Sequence, residues 1–175
     1  MDNYLLISAL GKPDAALLEQ FTRVIKEGGG KIIECRMCAL GSEFSVLMLL
    51  SGNWDAIAKI EDMLPRLESK LSMSIRTKRT EPVKESGNLM PYAIDVVSID
   101  NAGIVHDIID FFAVNKISVQ DIQANTYKAI NTGAPMMSLH ITINISASKS
   151  IAAIRTDFMD FCDHHNLDAI MEPVK

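Results

Sequence analysis

At 175 residues, the chain has room for one ordinary domain or for two small ones of about 85 residues each. A content of 48% hydrophobic and 22% charged residues, with nine Gly and six Pro, excludes a fibrous or disordered polypeptide. The net charge of −5 sets the overall field against phosphate backbones, and the densest basic cluster is the short Arg76-Thr77-Lys78-Arg79-Thr80, so direct nucleic-acid binding is not expected.

No apolar run approaches the roughly 20 residues of a membrane-crossing helix, and Met1-Asp2-Asn3 carries no basic segment ahead of an apolar one. Three cysteines, an odd number, argue against a disulfide framework. A cytoplasmic protein with reduced thiols is expected.

In chain order, "YLLISAL" from Tyr4 alternates as a strand, and the polar turn Lys12-Pro13-Asp14 leads into "AALLEQFTRVIKEG", whose apolar residues recur three and four apart as on one face of a helix. "KIIECRMCAL" and "EFSVLMLLSG" are two β-rich runs joined by Gly41-Ser42-Glu43, which reads as a hairpin. "NWDAIAKIEDMLPRLESKL" follows as a helix that Asn53 can cap and that Pro65 is expected to end or kink, before a last strand in "MSIRTKR". A stretch rich in Pro, Gly and charge then connects to a second series. In it, "YAIDVVSID" is a strand, Asp100-Asn101-Ala102-Gly103 a turn, and "IVHDIIDFF" a helix. "ISVQDIQANTY" and "MMSLHITINIS" are strands, "SIAAIRTDFMDFCDHH" a helix, and "DAIMEPV" the last strand.

The two series are copies. Tyr4 onward aligns with Tyr92 onward at an offset of 88 that slips to 87 after the first helix. Each copy is βαββαβ, so the expected fold is α+β: two ferredoxin-like domains, each an antiparallel four-stranded sheet with helices on one face. The domains are placed at 1–80 and 92–175, with a linker at 81–91. A sheet covered on one side keeps a bare face and two edges, which makes a homo-oligomer the expected way to complete the burial.

The turn at 100–103 stands where a helix begins. The first N–H groups of a helix have no intrahelical partners and, with the helix dipole, favour an anion such as an α-carboxylate. Gly103 tolerates unusual backbone angles and lets a ligand approach. An ionised Asp100 can accept from an ammonium group, and Asn101 can both donate and accept. A polar turn of this kind is also an ordinary connection, and these residues alone leave both readings open.

The remaining reactive residues form no site. Cys35 and Cys38 have CxxC spacing, yet in a strand residues three apart face opposite ways, so they are expected as buried or half-buried structural thiols rather than a metal pair. Cys162-Asp163-His164-His165 reads as a solvated helix end, and His106 and His140 as structural. No nucleophile-elbow, phosphate loop or Arg-bearing acylphosphatase-type loop is present. Neither an enzyme, a metal nor a cofactor is expected. The ten methionines read as core filler.

The double βαββαβ order, "SIDNAGIVHDI" at 98–108 and "GAPMMSLHITINI" at 133–145 resemble the tandem-ACT proteins of the glycine cleavage system transcriptional repressor type. The resemblance spans about 4–173 and is stronger in the second half. In ACT domains the turn has an acidic or Asn residue, Arg, Pro and Gly, then an aliphatic residue. Here Asp100, Gly103 and Ile104 match while Asn101 and Ala102 replace Arg and Pro. The family binds a small amino acid between two such domains, using this turn and the start of a neighbour's second strand. The resemblance thus implies ligand-binding roles for Ser98, Asp100, Asn101, Ala102, Gly103, Ile104 and Ser118. A second candidate site by position is Lys12, Pro13, Asp14, Ala15 and Lys31, where Ala15 replaces the glycine and the copy reads as the structural partner of the sensing one. The resemblance further implies glycine as ligand, a LysR-type transcriptional activator as partner and indirect repression of the glycine cleavage operon. The competing readings are a regulatory subunit that brings amino-acid feedback to a metabolic enzyme, and a ligand-free interaction module.

Overall fold

The computed structural model describes residues 2–82 and 88–174, and the chain divides into two compact units, Met1–Lys84 and Glu85–Lys175. The first runs β1 (Asn3–Gly11), α1 (Ala15–Gly28), β2 (Lys31–Leu40), β3 (Glu43–Gly52), α2 (Trp54–Leu71) and β4 (Ser74–Thr80). The second runs β5 (Leu89–Ile99), α3 (Ile104–Val114), β6 (Ser118–Lys128), β7 (Pro135–Ser146), α4 (Ile151–His164) and β8 (Asp168–Pro173). β5 starts inside the stretch expected to link the domains, and 83–87 of that stretch lie outside the described residues.

Each unit holds one antiparallel sheet, in the orders β2-β3-β1-β4 and β6-β7-β5-β8. The period-2 pattern sets the core: Leu5, Ile7 and Ala9 of β1 and Ile94 and Val96 of β5 are buried, while Ser8, Leu10, Asp95 and Val97 between them are exposed. The helices answer with stripes three and four apart, Ile57, Ile60, Leu64 and Leu67 on α2 and Ile154, Phe158 and Cys162 on α4. Burying each of these large side chains is worth about 1.5–3 kcal/mol over leaving it exposed.

The two units pack their helices differently. In the first, Gly28 and Gly30 bring the end of α1 against α2, and a Cβ on either would stand 2.3 or 2.6 Å from side-chain atoms of Ile60. In the second, Phe111 and Phe112 of α3 meet Phe158 and Phe161 of α4, with ring centroids 5.1–5.4 Å apart for the α3–α4 pairs. A lysine closes the C-terminal end of α1 and of α3: Lys59 Nζ donates to Glu27 O at 2.8 Å, and Lys149 Nζ to Asn115 O and Lys116 O.

Two expectations need correction. Helix α2 continues through Pro65 to Leu71 rather than ending there. Proline removes one helical hydrogen bond, but Leu64 and Leu67 on either side are buried and hold the segment against the sheet. Cys35 and Cys38 are exposed rather than buried, because β2 is an edge strand with no fully buried residue. Cys38 does sit on the face away from the helices, with its Sγ 3.3 Å from Ser45 Oγ, and Cys35 on the other. β2 and β6, the matching edge strands, each carry an extra residue just after their start, Ile33 and Gln120, where the register with β3 or β7 shifts.

Candidate functional site

β5 delivers the chain to its turn at Ile99. Asp100 N donates to Pro135 O at 2.9 Å, tying the turn to the start of β7, and Ile104 N reaches Asn101 O at 3.4 Å. Gly103 is the N-cap residue of α3, with φ 104° and ψ −18°. A Cβ built on it would meet no atom within 4 Å, so the glycine is required here by its backbone angle and not by close packing. Ile104 is buried and anchors the first helical turn, while Asp100, Asn101, Ala102 and Gly103 are exposed.

How each helix begins separates this turn from the others. Asp14 Oδ1 accepts from Ala16 N at 2.8 Å, Asn53 Oδ1 from Ala56 N at 2.8 Å, and Ser150 Oγ from Ala153 N at 3.3 Å. α3 has no side-chain cap. Its first-turn donors and its positive dipole end therefore open outward, the arrangement that receives a carboxylate.

The space in front of that helix start is an open groove of about 320 Å³, lined by Ser98, Ile99, Asp100, Asn101 and Ile104 and, from the loop between α4 and β8, by His165, Asn166 and Leu167. Ser98 is buried and its Oγ donates to Ile99 O at 3.1 Å. Asn166 adopts left-handed backbone angles, φ 53°, and His165 lies against Phe161 with ring centroids 4.3 Å apart and Nδ1 2.9 Å from Phe161 O. The α4–β8 loop was not among the candidates read from sequence. Ser72, the counterpart of Asn166 in the first unit, shares the left-handed conformation at φ 50°.

Ser118 is not brought to this groove. It pairs with Asn144, whereas Ile99 pairs with Met136, and eight residues along β7 are about 27 Å. A ligand touching the turn and a Ser118 would need the latter from another unit of the same kind. Lys31 is likewise remote from Lys12: it pairs with Ser51 and Gly11 with Phe44, about 24 Å along β3.

The first unit has a groove in the same place, about 490 Å³, lined by Leu10, Gly11, Lys12, Glu43, Leu71, Ser72 and Ser74. Pro13 and Asp14 border a smaller hollow with Leu17, Leu18 and Phe44. Ala15 opens α1 behind Asp14, whose own carboxylate already occupies the helix start. The contrast with α3 thus lies in the cap as well as in the missing glycine.

His106 is exposed in the first turn of α3. His140 Nδ1 lies 2.7 Å from Asp95 Oδ1 on the open face of the second sheet, and His164 and His165 are exposed at the end of α4. Cys162 is buried, and burial pushes its thiol up to about 11. Among the described residues no three His, Cys, Asp or Glu side chains are placed to hold a metal ion, and no helix is long and apolar enough to cross a membrane.

Two βαββαβ units, each with a groove at the end of its first strand, define a tandem ferredoxin-like protein of the ACT-like kind. Residues 3–78 match the ACT domain family model; the match falls on the first unit, although the resemblance in sequence is expected to be stronger in the second. Over 164 residues, 94% of this chain and 86% of the relative, the chain is 29% identical to the glycine cleavage system transcriptional repressor of Escherichia coli (strain K12), and equally to that of Shigella flexneri. A solved structure named for a glycine cleavage system transcriptional repressor superposes with a TM-score of 0.75 at 23% identity, covering 100% of this chain and 99% of that one. An unknown protein from Galdieria sulphuraria superposes with a TM-score of 0.79 at 18% identity over the full length of both chains. These two structures establish the fold. The first unit matches the ACT domain family, the second repeats its βαββαβ order, and the chain over 94% of its length resembles the glycine cleavage system transcriptional repressors.

Proposed function

We propose that this protein is a non-catalytic amino-acid sensor that binds a small amino acid, glycine first, at the groove of the second unit. The observation that carries the reading is the uncapped start of α3 opening on a groove that also holds Asp100, Asn101 and Asn166. The ligand carboxylate would be received by the first-turn N–H groups of α3, and its ammonium by Asp100. Asn101 and Ser98 add hydrogen-bonding groups, Ala102 and Gly103 leave the approach unobstructed, and Ile104 fixes the helix. Ser118, from a neighbouring unit of the same kind, closes the site. The first unit, with Lys12, Asp14, Ala15 and Lys31, is the second and weaker candidate because its helix start is already capped.

Binding regulates by differential affinity: a ligand shifts an arrangement of units only as far as it prefers that arrangement. The name carried by the curated relatives supports repression of glycine cleavage genes as the output. The negative overall charge fits an indirect route in which the chain contacts a LysR-type activator and leaves the DNA to it.

Calorimetric titration with glycine, serine and alanine tests the reading, in the wild type and in Asp100→Ala. Saturable binding that Asp100→Ala abolishes is expected. No heat from any small amino acid up to millimolar concentration refutes the sensor and leaves an interaction module. Affinity capture that returns a metabolic enzyme instead of a DNA-binding activator refutes the route of output and favours a regulatory subunit.

A further inference from the structure

The faces of the two sheets turned away from their helices carry opposite charge. Directly paired residues share a face, so the register assigns the open face of the first unit to rows such as Arg36-Leu47-Ser8-Arg76 and Glu34-Leu49-Leu6-Lys78. Lys31 joins them on β2 and Glu43 on β3, so cations outnumber carboxylates two to one around an apolar centre. The corresponding rows of the second unit are Asp121-Thr142-Ala93-Glu172, Gln123-His140-Asp95-Ile170 and Asn125-Ser138-Val97-Asp168. Among the described residues of these strands, that face holds four carboxylates and no Lys or Arg.

Both faces carry exposed apolar side chains. Leu47 is 45% exposed on the first, and Ile170 and Ile99 are 58% and 67% exposed on the second. Like-on-like stacking would set cations against cations or carboxylates against carboxylates, a juxtaposition that costs several kcal/mol in other interfaces. Unlike faces attract.

We propose that two copies of this chain form a reciprocal dimer, in which the basic open sheet face of each first unit docks on the acidic open sheet face of the other copy's second unit. Two such contacts related by a two-fold axis close the assembly, with no face left over to build a filament. Four strands about 4.8 Å apart and about seven residues long give a face of roughly 450 Å². Four faces then bury roughly 1,800 Å², within the range of a stable interface. Apart from Ile99, which borders both, this surface contains none of the residues lining the groove at 98–104, and sedimentation and calorimetry read the dimer and the amino-acid site separately.

Analytical ultracentrifugation of the full chain tests it with two charge-reversed variants, Arg76→Glu with Lys78→Glu, and Asp95→Lys with Glu172→Lys. All four positions are exposed, and circular dichroism checks that each variant is folded. The wild type should dimerise, less tightly as salt rises. Each variant alone should dimerise at least about tenfold more weakly: in the first, both faces now carry net negative charge, and in the second, two lysines offset Asp121 and Asp168 so that the face no longer attracts the basic one. An equimolar mixture should dimerise again, since in a mixed pair the reversed basic face of one variant meets the lysine-bearing face of the other, and the second contact keeps its native signs. A wild type that is monomeric at every concentration overturns the proposal, as does a dimer indifferent to both reversals or a mixture that fails to restore it.

Discussion

Gly28 lies in the last turn of α1, where a Cβ would come 2.3 Å from Ile60 Cγ1 and 3.1 Å from its Cδ1. Carbon atoms in good contact sit about 3.5–4.0 Å apart, so Gly28→Ala is short of room by more than 1 Å. The obstructing atom is near the root of a side chain that is fully buried, and it has nowhere to swing. Overpacking of this kind costs about 1–3 kcal/mol. Alanine's better helix propensity returns up to about 1 kcal/mol, less at the frayed end of a helix, which leaves a net loss of about 1–2 kcal/mol. Ile60→Ala by itself should cost about 2–5 kcal/mol through the cavity it opens. In that background the clashing atoms are gone and the next neighbour, Ile60 Cβ, stands at an ordinary 3.6 Å. Gly28→Ala should then be neutral or mildly stabilising. Trp54, the chain's single tryptophan, lies in the same unit at 62% exposure and reports its unfolding in urea by fluorescence. The expected coupling between the two changes is about 2 kcal/mol. Equal losses for Gly28→Ala in both backgrounds would refute the helix contact as the reason for the glycine.

Gly103→Ala should lose about 1–3 kcal/mol in urea melts followed by circular dichroism, from backbone strain at φ 104° alone. An unchanged midpoint would contradict that angle. Asp14→Ala should cost about 1 kcal/mol as the loss of a helix cap, while Asp100→Ala, whose carboxylate caps nothing, should stay within about 0.5 kcal/mol of wild type in the same melts. Ellman's reagent at pH about 8 should titrate two thiols per native chain, Cys35 and Cys38, because Cys162 stays buried and protonated until near pH 11; its reaction requires unfolding, and three fast native thiols would count against its burial.

Most of the fold is written in periodicity. The alternation of β1 and β5 and the three-four spacing on α2 and α4 are strong because each element has one face on a core, and the near-identical order of the two halves doubles the signal. Pro65 misled because a local rule about helix breaking competes with tertiary burial, here of Leu64 and Leu67, and the sequence does not display the winner. The thiols of Cys35 and Cys38 misled for a related reason: β2 reads as apolar as a central strand, and only the pairing order makes it an edge. At the turn, Asp100, Asn101 and Gly103 were legible through residue chemistry. The contribution of His165, Asn166 and Leu167 was not, because it depends on the antiparallel pairing of β5 with β8, which brings residues some 65 positions away to the same end of the sheet.

The extra residues Ile33 and Gln120 bear on how such a chain survives at high concentration. A flat row of unpaired N–H and C=O groups is a template on which further strands can add without limit, the route to fibres. A bulge near the start of β2 and of β6 interrupts that row there and increases the local twist, which hinders an incoming strand in regular register. Both repeats keep the device at the same place. It lets β2 and β6 remain open to a partner of fitted shape while denying them to indiscriminate growth.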